Sequence, residues 1–316
     1  MKISGSRVTS SAGKGKSLEP QRAQRKPRRV REETQLATTN SRSTFAAETP
    51  VCLADMPAAA IPVIEFRDVA YRVAGTQVLA GFNLQVQSGE TLVLLGRSGS
   101  GKTTSLKLVN RLLSPTSGEI RVKGVANTEG DVIRLRRGIG YVIQDVGLFP
   151  HFTVERNIGL VPKIEGWTAD RIRARVLELL QTVGLGADIA TRYPHQLSGG
   201  QRQRVGVARA LAADPEILLM DEPFGALDPL TRDELQREFL SLQQRLRKTV
   251  VFVTHDLREA LRLGSRIALM EAGRLVTVLE PREFLRSVDP LASAYVKALG
   301  AGLVLVDHDS GDRGPS

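Results

Sequence analysis

Gly96-Arg97-Ser98-Gly99-Ser100-Gly101-Lys102-Thr103 has the spacing G-x-x-x-x-G-K-[ST] of a phosphate-binding loop. Each residue type has a mechanical part in holding a polyphosphate. The glycines let backbone N–H groups turn toward the anion with no Cβ in the way. Lys102 is placed to reach the β- and γ-phosphates, and the Thr103 hydroxyl to ligate Mg²⁺. Thr104 follows at the start of an expected helix running to Leu113, where free N–H groups and the helix dipole favour negative charge.

Two further groups could share this chemistry. Asp221-Glu222 ends the apolar run Ile217-Leu-Leu-Met220. An aspartate at such a strand end can hold Mg²⁺, and a neighbouring glutamate can polarise an attacking water. On loop composition alone, the same pair also describes a solvated turn. Leu197-Ser198-Gly199-Gly200-Gln201 begins 95 residues after Lys102 and precedes an expected helix, Arg202 to Ala212. A serine and two glycines at a helix start form a second anion-binding site. One chain seldom needs both for one phosphate chain, whereas a dimer that sandwiches a nucleotide uses both.

The elements that must position these groups read as an α/β core. Thr91-Leu-Val-Leu-Leu95, Ile217–Met220, Thr249-Val-Val-Phe-Val253 and Ile267-Ala-Leu-Met270 are short apolar runs suited to buried parallel strands. Val63–Val69 and Val78–Val86 alternate as half-buried strands, and Gly118–Val122 is another short strand. Residues 171–183 place Ile172, Val176, Leu179 and Val183 on one helical face closed by Gly184, and 231–247 carry a stripe of Leu235, Phe239, Leu242 and Leu246. Strands separated by helices imply a mostly parallel sheet.

Composition excludes several classes. Cys52 is the one cysteine, so no intrachain disulfide framework forms. No run of 18 apolar residues exists, and the N-terminus lacks a secretory h-region. The net charge of +10 is concentrated: residues 1–61 hold 11 Lys/Arg and 5 Asp/Glu. Residues 1–60 read as a disordered basic tail, with a cluster at Arg25-Lys26-Pro27-Arg28-Arg29-Val30-Arg31. Three readings stand: a solvated tail, a contact with anionic lipid or nucleic acid, or residues upstream of a true start at Met56.

Taken in order, Gly96–Thr103, Leu197–Gln201 and Leu218-Leu-Met-Asp-Glu-Pro223 resemble the nucleotide-binding subunit of an ATP-binding cassette (ABC) transporter. The resemblance runs from about Ile61 to Gly300 and takes in Gln144, Ala226-Leu-Asp228 and His255 in Val253-Thr-His-Asp256. It implies a P-loop NTPase (RecA-like) core with an antiparallel β subdomain and an inserted α-helical subdomain at about 145–213, followed by a tail at 301–316. It also implies ATP and Mg²⁺ as ligands. Gly96, Arg97, Ser98, Gly99, Ser100, Gly101, Lys102, Thr103 and Thr104 would bind ATP. Thr103, Gln144 and Asp221 would hold Mg²⁺, with Glu222 as general base and His255 on the γ-phosphate. Leu197, Ser198, Gly199, Gly200 and Gln201 would close on nucleotide held by a second copy of the chain, and Asp228 would communicate across that dimer. One position departs from the pattern: where an aromatic usually stacks on adenine stands Val73, with Tyr71 two residues earlier as the substitute candidate.

Tyr141–Val154, Asn157–Trp167 and Gln203–Pro215 are similar to the ATPases of quaternary-amine and osmoprotectant importers. That resemblance implies a permease partner, an indirect link to a solute-binding protein, and a site at the cytoplasmic face of the inner or plasma membrane. Leu148, Phe149, His151 and Phe152 are then candidate permease contacts or, on packing alone, subdomain core. Another cargo, such as a lipid, an inorganic anion or an amino acid, is the alternative. A soluble nucleic-acid- or ribosome-associated ATPase is disfavoured by the single cassette, the lone cysteine and the lack of heptads, so no nucleic-acid partner is expected. The regulatory domain many osmoprotectant ATPases carry has no counterpart in the 16 residues after Gly300.

Overall fold

The computed structural model describes residues 61–225 and 227–300, with the backbone of 301–307. The basic tail and the start at Met56 lie outside the described residues, as do the side chains of 301–316.

Two sheets organise the chain. The first strands are β1 (Ile64–Val73), β2 (Thr76–Val86) and β3 (Thr91–Gly96), followed by helix α1 (Lys102–Val109). Then come β4 (Ser117–Val122), β5 (Val125–Ala126), α2 (Val132–Arg137) and β6 (Ile139–Val142). Four α-helices and two short 3-10 turns follow before the next strand; the α-helices are α3 (Val154–Ile158), α4 (Leu160–Ile164), α5 (Ala169–Thr182) and α6 (Gly199–Leu211). The chain continues through β7 (Ile217–Asp221), α7 (Pro229–Leu246), β8 (Thr249–Thr254), α8 (Leu257–Leu263), β9 (Arg266–Glu271), β10 (Arg274–Leu279), α9 (Pro281–Phe284) and α10 (Pro290–Asp307). Helix α10 continues through residue 301.

The smaller sheet has the order β2-β1-β4-β5 and is antiparallel throughout. The larger has the order β10-β9-β3-β8-β7-β6; β6 to β9 are parallel, and β10 closes the edge antiparallel to β9. Every residue of β3, β7 and β8 is buried, as apolar runs covered on both faces should be.

The two-residue period of these strands divides them between two cores. Leu92 and Leu94, Ile217 and Leu219, and Val251 and Val253 face the antiparallel sheet and α1. Val93 and Leu95, Leu218 and Met220, and Val250 and Phe252 face the helices inserted after β6 together with α7 and α8. The strand ends therefore meet both halves of the molecule, and the loops that follow β3, β7 and β8 share one rim.

Helix ends agree with their sequence signals. Thr168 caps α5 by accepting from Arg171 N, and Gly184 follows with φ 67°, the left-handed turn that ends the helix. Val176, Leu179 and Val183 are buried along the expected face, and Ile172 packs at its margin.

Candidate functional site

The phosphate loop connects β3 to α1 and is bent by its glycines. Gly99 and Gly101 have φ of 82° and 98°, a region that L side chains rarely enter. A Cβ on Gly96 would run into the carbonyl oxygen of Met270 on the neighbouring strand. Ser100 is buried at the base of the loop, and its carbonyl accepts from Gly273 N at 3.2 Å.

Lys102 is 5% exposed, and its Nζ donates to the carbonyls of Gly96 at 2.7 Å and Arg97 at 2.8 Å. Burial lowers its pKa, opposed by the charges of Glu222 and Asp221. The ammonium thus sits on its own loop, close to two carboxylates. Thr103, one residue on, donates from Oγ1 to Asp221 Oδ1 at 2.8 Å. Asp221 ends β7 at 4% exposure, and burial raises its pKa while the Thr103 hydrogen bond works against the rise. Burial drives the pKa of Tyr141 on β6 up, and the neighbouring Asp221 carboxylate adds to the rise.

Glu222 follows with φ 44°, a left-handed backbone that costs a non-glycine residue energy and swings the side chain away from the strand direction. Its N–H donates to the carbonyl of Val253 at 3.1 Å. Glu222 Oε2 is met from two sides: Gln144 Nε2 lies at 3.5 Å and His255 Nδ1 at 3.3 Å. The loops after β6, β7 and β8 therefore converge on one carboxylate.

A cleft of about 290 Å³ opens over this cluster and is lined by Ser98, Gly99, Gly101, Lys102, Thr103, Thr104, Gln144 and Glu222. Val78 of β2 is an unexpected wall residue. It lies within an alternating strand, and no local signal marks it as part of a site. Tyr71 does not line the cleft; it packs against the core beneath the antiparallel sheet, while Val73 is 51% exposed.

Leu197–Gln201 does not line that cleft either. Ser198 is exposed and caps α6: Gln201 N donates to Ser198 Oγ at 3.2 Å, and Ser198 N donates to Gln201 Oε1 at 3.0 Å. This reciprocal capping box fixes the serine and two glycines at the positive end of a 13-residue helix. Leu197 is buried and anchors the loop. Asp228 caps α7, accepting from Thr231 N at 3.0 Å, and that bond lowers its pKa. The chain thus presents two glycine-containing helix starts, at α1 and α6, with no shared wall.

The model of the ABC transporter family matches residues 79–225. The Escherichia coli glycine betaine uptake system ATP-binding protein YehX is 51% identical over 214 residues, which are 68% of this chain and 70% of that protein. The chain belongs to the ABC transporter ATP-binding family. The Bacillus subtilis glycine betaine/carnitine/choline transport ATP-binding protein OpuCA is 52% identical to this ABC chain over 213 residues, or 67% of it. The ABC chain spans 56% of OpuCA's length. A solved structure described as a dimeric bacterial ABC transporter cassette, MJ0796, is 36% identical with a TM-score of 0.63, covering 69% of this chain and 99% of that one. The fold is therefore the P-loop NTPase core with an antiparallel β subdomain and an inserted helical subdomain. Among the described residues of the ABC chain, no helix is long and apolar enough to cross a membrane.

Proposed function

We propose that the chain binds and hydrolyses ATP as half of a two-chain sandwich and powers import of a small solute through a separate permease. The observation that carries this reading is the cleft where the phosphate loop, Gln144 and Glu222 meet while Ser198–Gln201 stays outside it. A second copy is needed to bring its Ser198 and Gly200 to the γ-phosphate, and the Asp228 loop, which precedes α7, is the element that would sense it. Solved ABC cassettes described as dimeric support the same arrangement.

Each residue has a part consistent with its surroundings. Backbone N–H groups of Ser98–Thr104 hold phosphate at the start of α1. Lys102 exchanges its two loop carbonyls for phosphate oxygens. Thr103, Gln144 and Asp221 each offer an oxygen ligand, and Thr103 Oγ1 already lies 2.8 Å from Asp221 Oδ1; oxygen ligands of this kind suit Mg²⁺. When bound, that ion neutralises charge on the β- and γ-phosphates. Glu222 accepts the proton of the attacking water, and His255, 3.3 Å away, contacts the γ-phosphate and keeps that carboxylate aimed.

The cargo reading rests on the names of the relatives: glycine betaine, carnitine and choline in one, glycine betaine in another. We assign this chain a quaternary amine, delivered by a solute-binding protein, with the chain peripheral at the cytoplasmic face through its permease. Uptake of radiolabelled glycine betaine into vesicles carrying the chain and its co-purified permease tests this. Uptake that needs ATP and stops with Lys102→Ala is expected. ATP-driven uptake of an unrelated solute, with none of betaine, carnitine or choline, would contradict it.

A further inference from the structure

Glu259 is a charged residue in the interior that the hydrolytic reading does not use. It lies on α8, two residues into the buried face, at 5% exposure. Burial pushes its carboxyl up from the ordinary range, and Arg232 on α7 pulls the other way while Asp256 adds to the rise. A buried carboxylate persists only where partners repay its desolvation, and its partners here are specific.

One oxygen serves the turn that carries His255. Thr254 Oγ1 donates to Glu259 Oε2 at 2.6 Å, and the same hydroxyl accepts from Asp256 N at 3.0 Å. The residue between those two bonds is His255, whose side chain is 59% exposed and meets Glu222 Oε2 at 3.3 Å. The other oxygen serves α7. Gln236 Nε2 donates to Glu259 Oε1 at 3.0 Å, and Gln236 Oε1 in turn accepts from Arg262 at 3.1 Å. Four residues earlier on α7, Arg232 donates to the carbonyls of Phe224 at 3.2 Å and Leu227 at 3.0 Å. A cavity of about 30 Å³, the room of a single water, has Glu222, Arg232, His255 and Glu259 on its walls.

We propose that Glu259 is a positioning residue for His255: it clamps the 254–256 turn that presents the imidazole and ties that turn to α7, the helix that also holds the loop after Glu222. The geometry is independent of the reaction, while its consequence for turnover rests on the hydrolytic reading above.

The test uses the full chain with ¹³C-labelled histidine, of which there are four. Glu259→Ala should displace and broaden the His255 ring resonance in the nucleotide-free protein and leave those of His151 and His195 in place. The pair Glu259→Gln with Gln236→Glu, which keeps one acceptor for Thr254 and one donor–acceptor link to α7, should restore it. Turnover of ATP per bound nucleotide should fall about ten- to a hundredfold in Glu259→Ala with nucleotide Kd within about twofold. In a His255→Ala background the same change should cost nothing further, because both act through one group. An unmoved His255 resonance, or an equal fold-loss in both backgrounds, would overturn the proposal. If Glu259→Ala fails to fold, Thr254→Val cuts the same link with Glu259 in place and is read in the same way. A wild-type chain that binds ATP without hydrolysing it would sink the hydrolytic reading alone, because the resonance still decides the positioning.

Discussion

Thr103 Oγ1 and Asp221 Oδ1 are 2.8 Å apart although 118 residues separate them in sequence. That contact joins the end of the phosphate loop to a buried carboxylate at the end of β7. The strand order β3-β8-β7 brings it about, with the loops after all three strands on one rim.

The buried carboxylate gives the first prediction. Desolvation holds the Asp221 pKa above its ordinary value in the folded chain without metal. Above both the folded and unfolded values the charge is a net cost to folding, and the cost disappears as pH falls through that window. Asp221→Asn keeps an acceptor for the Thr103 hydroxyl and removes the charge. The nucleotide-free variant should melt a few degrees higher than wild type at neutral pH, while Mg²⁺-dependent nucleotide affinity drops at least tenfold. Calorimetric melting beside nucleotide titration with and without Mg²⁺ measures both.

Lys102→Ala should abolish measurable nucleotide binding without unfolding the chain. Its ammonium donates to the Gly96 and Arg97 carbonyls of its own loop. Full residual affinity would remove the lysine from its assigned place.

Ser198→Asp separates capping from function. Aspartate caps helices as well as serine, so α6 and overall stability should stay within about 0.5 kcal/mol of wild type. The added charge should repel the γ-phosphate of the opposite chain's nucleotide and cut turnover more than tenfold. Nucleotide binding by the chain's own loop should be unchanged, since Ser198 lies outside that cleft. Equal loss of binding and turnover would place both loops in one cleft.

Much of this was legible in the residues. Gly96–Thr103 is contiguous, and Gly99 and Gly101 adopt the positive φ that glycine allows. The apolar runs of β3, β7 and β8 read as buried parallel strands because both faces are covered. Gly199 begins α6, three residues before the expected start at Arg202, because the Ser198–Gln201 capping box sets it. The clamp through Thr254, Glu259 and Gln236 was not legible, since it joins residues on two helices and a strand end that only tertiary packing brings together. Val78 entered the cleft wall for the same reason. β10 carries no sequence signal because it is a half-buried edge strand with no residue fully inside.

The central claim is that ATP joins two copies of this chain, and one measurement bears on it most directly. Glu222→Gln keeps the side chain's size beside Gln144 and His255 but cannot take a proton from water. Its molar mass by light scattering, with and without saturating Mg-ATP, should move from one chain to two on adding nucleotide and return to one with ADP. A variant that stays at one chain's mass while nucleotide is bound would contradict the shared site.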